Sequence, residues 1–160
     1  MLMVLRDTDT GEIADGHIRY LMIRADVLMG LAHEWPLGDT QQFVHALERS
    51  AYRHARDSFE TYQASNRFSD GDFLSAVAQV AAQLGWGSWH VTERPGGGRR
   101  IAVRNSPFAS GFGPSSHPVC GAICGVLEAM GSVSHGRQVR VTEESCAAQP
   151  HGAECIFHLS

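Results

Sequence analysis

Apolar positions along the chain change their spacing several times, and each change marks an element. Residues 1–6 and 18–23 are short apolar runs that read as strands, separated by turn chemistry at 7–11. Asp15-Gly16 makes a tight-turn dipeptide between Ile13 and Ile18. From Ala25 the spacing is helical through Val27, Leu28, Leu31 and Trp35, and Pro36 with Gly38 stops it. Asp39 or Thr40 can cap a second helix, whose stripe of Phe43, Leu47, Ala51, Ala55, Phe59 and Tyr62 keeps one face. A third helix is expected after Ser69, with Asp70 and Asp72 in its first turn, where carboxylates favour the positive end of the dipole. It continues through Phe73, Val77, Val80, Ala81 and Leu84 to Gly85.

Beyond Gly85 the period falls to two. Trp89, Val91 and Glu93 alternate with His90, Thr92 and Arg94 up to the turn Pro95-Gly96-Gly97-Gly98, and residues 99–104 return with Ile101 and Val103 on one face. A loop rich in Ser, Gly and Pro covers 105–118. A helix follows over 119–130, marked by Val119, Ile123, Val126 and Met130; its Gly121 and Gly125 form a smooth face suited to packing on a sheet. Strands over 138–144 and 154–159, joined by 145–153, close the chain. The order predicts an α+β fold: N-terminal helices plus an antiparallel β-sheet crossed by a helix, in one domain spanning 1–160.

Composition narrows the function. The 160 residues are 43% hydrophobic and 19% charged, an ordinary globular balance, and the net charge of −4 gives no bulk attraction to nucleic acid or an anionic membrane. No apolar run approaches the roughly 18–20 residues that span a bilayer, and the N-terminus lacks a signal-peptide pattern, so a cytoplasmic location is expected. Four cysteines in a reducing compartment are thiols or metal ligands more often than disulfides. All four lie between positions 120 and 155.

Strand alternation says where they point. Val139, Val141 and Glu143 share the inward face of one strand, and Cys155, Phe157 and Leu159 share a face of the next. An inward carboxylate is costly without a partner. Cys146 follows Glu143 by three residues, so one acid and two thiols meet at adjacent strand ends, and both donor types bind zinc. Cys120, at the start of the preceding helix, offers a fourth ligand; Cys124, one turn on, reads as a small core residue. Alternatives remain open at this point. The thiols can be core filler, Glu143 can pair with Arg104 or Arg137, and His117 and His151 can also ligate.

The stretch from Val103 to Phe157 resembles the 4-vinyl reductase-type small-molecule-binding domain. The shared features are Asn105-Ser106-Pro107-Phe108-Ala109, Pro118-Val119-Cys120 opening a helix with Gly125, Val141-x-Glu143-x-x-Cys146 and Cys155-x-Phe157. Gly11-Glu12-Ile13 and Arg19-Tyr20-Leu21-Met22-Ile23-Arg24, then Leu28 and Leu31, are similar to the entry of the aromatic-sensing domain of phenol- and xylene-responsive activators. The resemblance implies a fold like that of vesicle-tethering subunits, a homodimer, a hydrophobic pocket between helices and sheet, and zinc on Cys120, Glu143, Cys146 and Cys155. The sequence departs from the phenol sensors in a Cys146-to-Cys155 gap one residue longer, and in Val103 or Arg104 where those sensors carry a tryptophan. The Ala-Gln-Pro-His-Gly loop can absorb the longer gap, whereas the missing tryptophan argues against phenol itself as ligand.

The leading expectation is a stand-alone domain, ending at Ser160 without an ATPase or DNA-binding module, that binds a small hydrophobic or aromatic molecule. Phe43, Phe59, Phe73, Trp86, Trp89 and Phe108 are the candidate pocket residues, with His90 on the face opposite Trp89; the same aromatics also serve as ordinary core. Alternatives are an accessory or reductase component acting on a tetrapyrrole vinyl group, and a protein-interaction subunit. No dinucleotide fingerprint, nucleophile elbow or phosphate loop is present, and His45, His54 and His135 lack neighbours for a catalytic dyad.

Overall fold

The computed structural model describes residues 5–34, 39–64, 73–95 and 97–160. The expected strand residues 1–4, Trp35, Pro36 and Gly38, the helix start at Ser69, Asp70 and Asp72, and Gly96 lie outside them.

The N-terminal apolar runs form a three-stranded antiparallel meander, β1 (Leu5–Asp7), β2 (Glu12–Asp15) and β3 (Ile18–Tyr20). The sequence reading had two strands here; Glu12–Asp15 is a third. Gly16 carries φ +59° at the β2–β3 turn, the conformation that makes glycine the natural residue there. Helix α1 (Ala25–Gly30) is shorter than its apolar spacing suggested. After Gly30 the hydrogen bonds tighten to the three-residue pattern, Ala32 N–H to Met29 and His33 N–H to Gly30.

Helix α2 (Thr40–Ala64) is capped by Asp39, whose Oδ1 accepts the Gln42 N–H at 3.1 Å. Helix α3 (Phe73–Gln83) ends where Gly85 takes φ +79° and the Trp86 N–H reaches the Ala81 carbonyl at 2.8 Å. The hairpin of β4 (Ser88–Glu93) and β5 (Arg99–Arg104) follows, and places Trp89 opposite Val103 and Val91 opposite Ile101. The expected loop 105–118 contains a short helix, α4 (Pro107–Phe112), because Ser106 accepts the Ala109 N–H and Pro107 needs no partner at the first helical position.

Helix α5 (Gly121–His135) runs five residues past the expected end at 130. Gly131 packs directly on Val139, and burial of this segment outweighs the weaker helix propensity of Gly131 and Ser132. Strands β6 (Val141–Ser145) and β7 (Cys155–Leu159) complete a four-stranded antiparallel sheet of order β4-β5-β7-β6. Edge strand β6 is covered by α5: the Val141 N–H donates to Glu128 Oε1 at 3.0 Å and the Val139 N–H to Ser132 Oγ at 3.2 Å. The fold class is α+β.

Helix α5 lies between the sheet and α2, and its stripe of Ile123 and Leu127 is fully buried. Gly121 and Gly125 do not face the sheet as expected. They face α2: a Cβ on Gly125 would stand 2.2 Å from the Glu48 carbonyl oxygen and 2.8 Å from the Tyr52 nitrogen. Only a bare backbone lets the two helices approach this closely. Gly125→Ala is therefore expected to destabilise the protein by about 1–3 kcal/mol through overpacking, read as a fall in thermal midpoint; an unchanged midpoint would refute the close-packed helix pair.

Candidate metal centre and apolar cavity

Cys120 is the N-cap of α5, and Cys146 and Cys155 flank the loop joining β6 to β7. In a regular strand Glu143 and Cys146, three apart, would face opposite ways. A bulge reconciles them: Glu143 pairs with Phe157 but Ser145 with Ile156, so one extra residue resets the alternation and both side chains point inward. Ligand atoms from Cys120, Glu143, Cys146 and Cys155 all lie within 4.8 Å of one another, a grouping that could hold a metal ion. Cys120 Sγ lies 3.8 Å from Cys146 Sγ and 3.5 Å from Cys155 Sγ, and the Cys146–Cys155 separation is 4.0 Å. The three sulfurs are fully buried.

Surrounding residues fix this geometry. Glu143 Oε2 accepts the Cys120 backbone N–H at 2.9 Å, while Glu143 Oε1 is buried with no hydrogen-bond partner among the described residues. Burial, and then the charge of Cys146, push the Glu143 carboxyl up to about 8. Hydrogen bonds from Cys120 and Cys146 pull the Cys155 thiol down to about 4, and the Ala147 N–H adds a third at 3.3 Å; the Cys120 thiol is raised by its contacts with Cys146 and Cys155. Cys155 is thus the preferred thiolate of the trio. In the loop, Gln149 Oε1 accepts the Cys146 N–H at 3.1 Å, and a Cβ on Gly152 would lie 2.0 Å from the Cys146 carbonyl oxygen.

The geometry bears on the other partners and ligands that the sequence left open. Arg104 pairs with Glu154 at 3.2 Å and Arg137 donates to the Gln138 carbonyl, so neither partners Glu143. His117 and His151 are exposed and outside the grouping, and Cys124 is a buried thiol whose pKa burial raises. Ser106 was not anticipated. Its hydroxyl lies 3.3 Å from Cys120 Sγ, and Ser106-Pro107 was the sequence signal for the cap that holds it there.

An apolar cavity of about 260 Å³ lies between α2, α3, β3 and α5. Ala51, Ala55, Phe59, Val77, Val80, Ala81 and Val126 line it, with Tyr20, His54, Ser58 and Tyr62 as polar edges. The Tyr62 hydroxyl donates to the buried Asp15 at 3.1 Å, which fastens the β2–β3 hairpin to α2. Of the predicted pocket residues, Phe59 and Trp86 line this cavity. Phe73 meets Phe59 edge-on with centroids 5.2 Å apart and lines a separate cleft, and Phe108 meets Trp86 in the same way at 4.9 Å. Phe43 is buried on α2, and Trp89 is half-buried on β4 with its indole N–H on the Trp86 carbonyl at 3.1 Å; neither lines this cavity. His90 is exposed.

Glu143→Gln tests the grouping by the sign of its effect. A folded-state pKa above the unfolded value means that Glu143 contributes stability below about pH 4.5 and loses it as pH rises through about 8. At pH 9 the metal-free variant is therefore expected to be more stable than the metal-free parent, by about 1–3 kcal/mol. With metal the sign reverses: second-shell changes alone cost about 10–100-fold in affinity, so losing a ligand costs at least that. Denaturation with and without chelator checks both, and equal effects in the two states would refute the site.

No protein-family model matches this sequence, and no curated protein does. Solved structures do. The phenol-responsive sensory domain of the transcription activator PoxR, solved with phenol, aligns over 96% of this chain and 82% of its own at a TM-score of 0.79 and 17% identity. A trafficking protein particle complex subunit 3 from Naegleria fowleri, covalently bound to palmitic acid, aligns over 84% of this chain and 93% of its own at 0.59 and 14%. A vinyl-4-reductase family protein from Methanocaldococcus jannaschii aligns over 85% and 89% at 0.54 and 12%. The chain thus has the fold shared by a phenol-sensing domain, a vesicle-trafficking subunit and a vinyl-4-reductase family protein, as its residues suggested.

Proposed function

We propose that this chain is a small-molecule-binding domain of the sensor or carrier kind, which takes a small hydrophobic or aromatic compound between α2, α3 and the β2–β3 hairpin. The observation that carries the reading is the partly open apolar cavity of about 260 Å³ between α2, α3 and β3. Native interiors hold few voids larger than a water, and a cavity of about 150 Å³ is enough for benzene. The PoxR domain that shares the fold was solved with phenol.

Zinc is the proposed occupant of the cysteine and glutamate centre. A regular tetrahedron with Zn–S of about 2.3 Å has edges of about 3.8 Å, and the three sulfur separations of 3.5, 3.8 and 4.0 Å bracket that value. Glu143, with one buried oxygen lacking a partner among the described residues, supplies the fourth donor. Four protein ligands leave no open position, so the ion's role would be structural: it neutralises buried thiolates and a carboxylate and ties α5 to the β6–β7 loop. Four free cysteines fit a reducing compartment such as the cytoplasm. Exposed Val27 on α1 and Leu31 at its C-cap, one turn apart, support a homodimer paired over that helix.

Two measurements test the reading. Elemental analysis of the purified protein is expected to give about one zinc per chain, retained in Cys124→Ser and lost in Cys155→Ser. Val77→Trp, which fills the cavity from α3, is expected to weaken phenol or toluene binding more than about tenfold, since the ring's place is taken. Calorimetry showing undiminished affinity in a folded Val77→Trp protein would exclude this cavity as the site.

A further inference from the structure

The cavity does not end at its own wall. Tyr20, Leu84 and Trp86 line it and also line a second void of about 700 Å³ beyond them. That outer groove opens at Leu21, Met22 and Ile23, which are 81%, 70% and 44% exposed. The inner cavity alone falls below the roughly 300–1,000 Å³ usual for ligand sites, whereas the two voids together come within it.

The three side chains between the voids are not equally fixed. The Trp86 ring lies edge-on to Phe108, and its backbone is anchored at both groups: the carbonyl accepts the Trp89 indole N–H and the N–H closes the end of α3. Leu84 lies half-buried in the turn just past α3, and a rotamer change there moves only its own atoms. The two voids also differ in polarity. The inner wall is mostly aliphatic and aromatic; the groove adds Gln83 and the loop residues Leu21, Met22 and Ile23. Among the described residues no charged side chain lines the groove. A molecule with one apolar and one neutral polar end therefore has a single favourable orientation, apolar end inward.

We propose that the two voids work as one site for an elongated, uncharged amphiphile, its alkyl end in the inner cavity and its polar end along the groove past Leu84. This rests on the ligand-binding reading above and names the class of ligand. The test is a series of straight-chain 1-alkanols from hexanol to tetradecanol, followed by tryptophan emission. By the packing of benzene in about 150 Å³, the inner cavity alone holds about ten carbons. The dissociation constant is expected to fall about fourfold per methylene, the value of a buried CH₂, and to keep falling beyond ten carbons. Ile23→Glu, at the groove, is expected to weaken tetradecanol at least tenfold more than hexanol. Short alkanols that bind with a gain ending at ten carbons, or an Ile23→Glu loss equal for hexanol and tetradecanol, would overturn the inference and leave the inner cavity standing. Long alkanols that convert a dimer to monomers would overturn it as well, since the groove would then be covered by a second copy. If neither alkanols nor phenol bind, the ligand-binding reading falls and takes the inference with it.

Discussion

A carboxylate buried among three sulfurs is the interaction on which the C-terminal half is built. Glu143 cannot be placed there at no cost: burial drives its pKa up, one oxygen is committed to the Cys120 N–H, and the other has no partner among the described residues. A cation at the centre would convert that penalty into attraction, and the same four side chains come from elements far apart in sequence. The start of α5, the end of β6 and the start of β7 meet at this point. Two local irregularities serve it. The bulge in β6 turns Cys146 inward beside Glu143, and Gly152 lets the loop pass close over the Cys146 carbonyl.

Much of this was legible in the sequence because the signals are periodic. The alternation of Val139, Val141 and Glu143, and of Cys155, Phe157 and Leu159, gave the correct inward faces, and the clustering of cysteines after residue 120 pointed to one centre. Where the reading failed, the deciding contact was tertiary. Gly121 and Gly125 look alike whether a helix meets a sheet or another helix; only the position of α2 decides. The extension of α5 to His135 depends on Val139 receiving Gly131, against local propensity. Helix α4 was readable from Ser106-Pro107 but was masked by the Gly and Ser around it. The cavity was the least legible feature, because a void is made by what residues fail to fill. Phe59 and Trp86 line it and Phe43 does not, although Phe43 and Phe59 share one helical stripe.

The three solved structures compared above are 12–17% identical to this chain, and what the fold requires is correspondingly general. It needs a helix pair that packs closely, a four-stranded sheet under one of them, and a long helix with enough apolar surface to cover a second face. Those requirements constrain size and polarity at many positions and identity at few. Residue chemistry is constrained most at the cysteine and glutamate grouping, whose donor atoms converge within 4.8 Å, and at glycines such as Gly125, where a Cβ would meet the α2 backbone.

Helix α4 connects the two regions. At its start, Ser106 caps the helix and touches Cys120 Sγ; one turn on, Phe108 lies edge-on to Trp86, a wall of the cavity. A six-residue helix has little stability of its own, so α4 holds its position through these end contacts and through α1, whose Ala25 carbonyl stands where a Cβ on Gly111 would be. A rigid centre at Cys120 therefore fixes Ser106, which fixes α4, which sets Phe108 against Trp86. The cysteine and glutamate grouping and the apolar cavity are thus joined through one short helix.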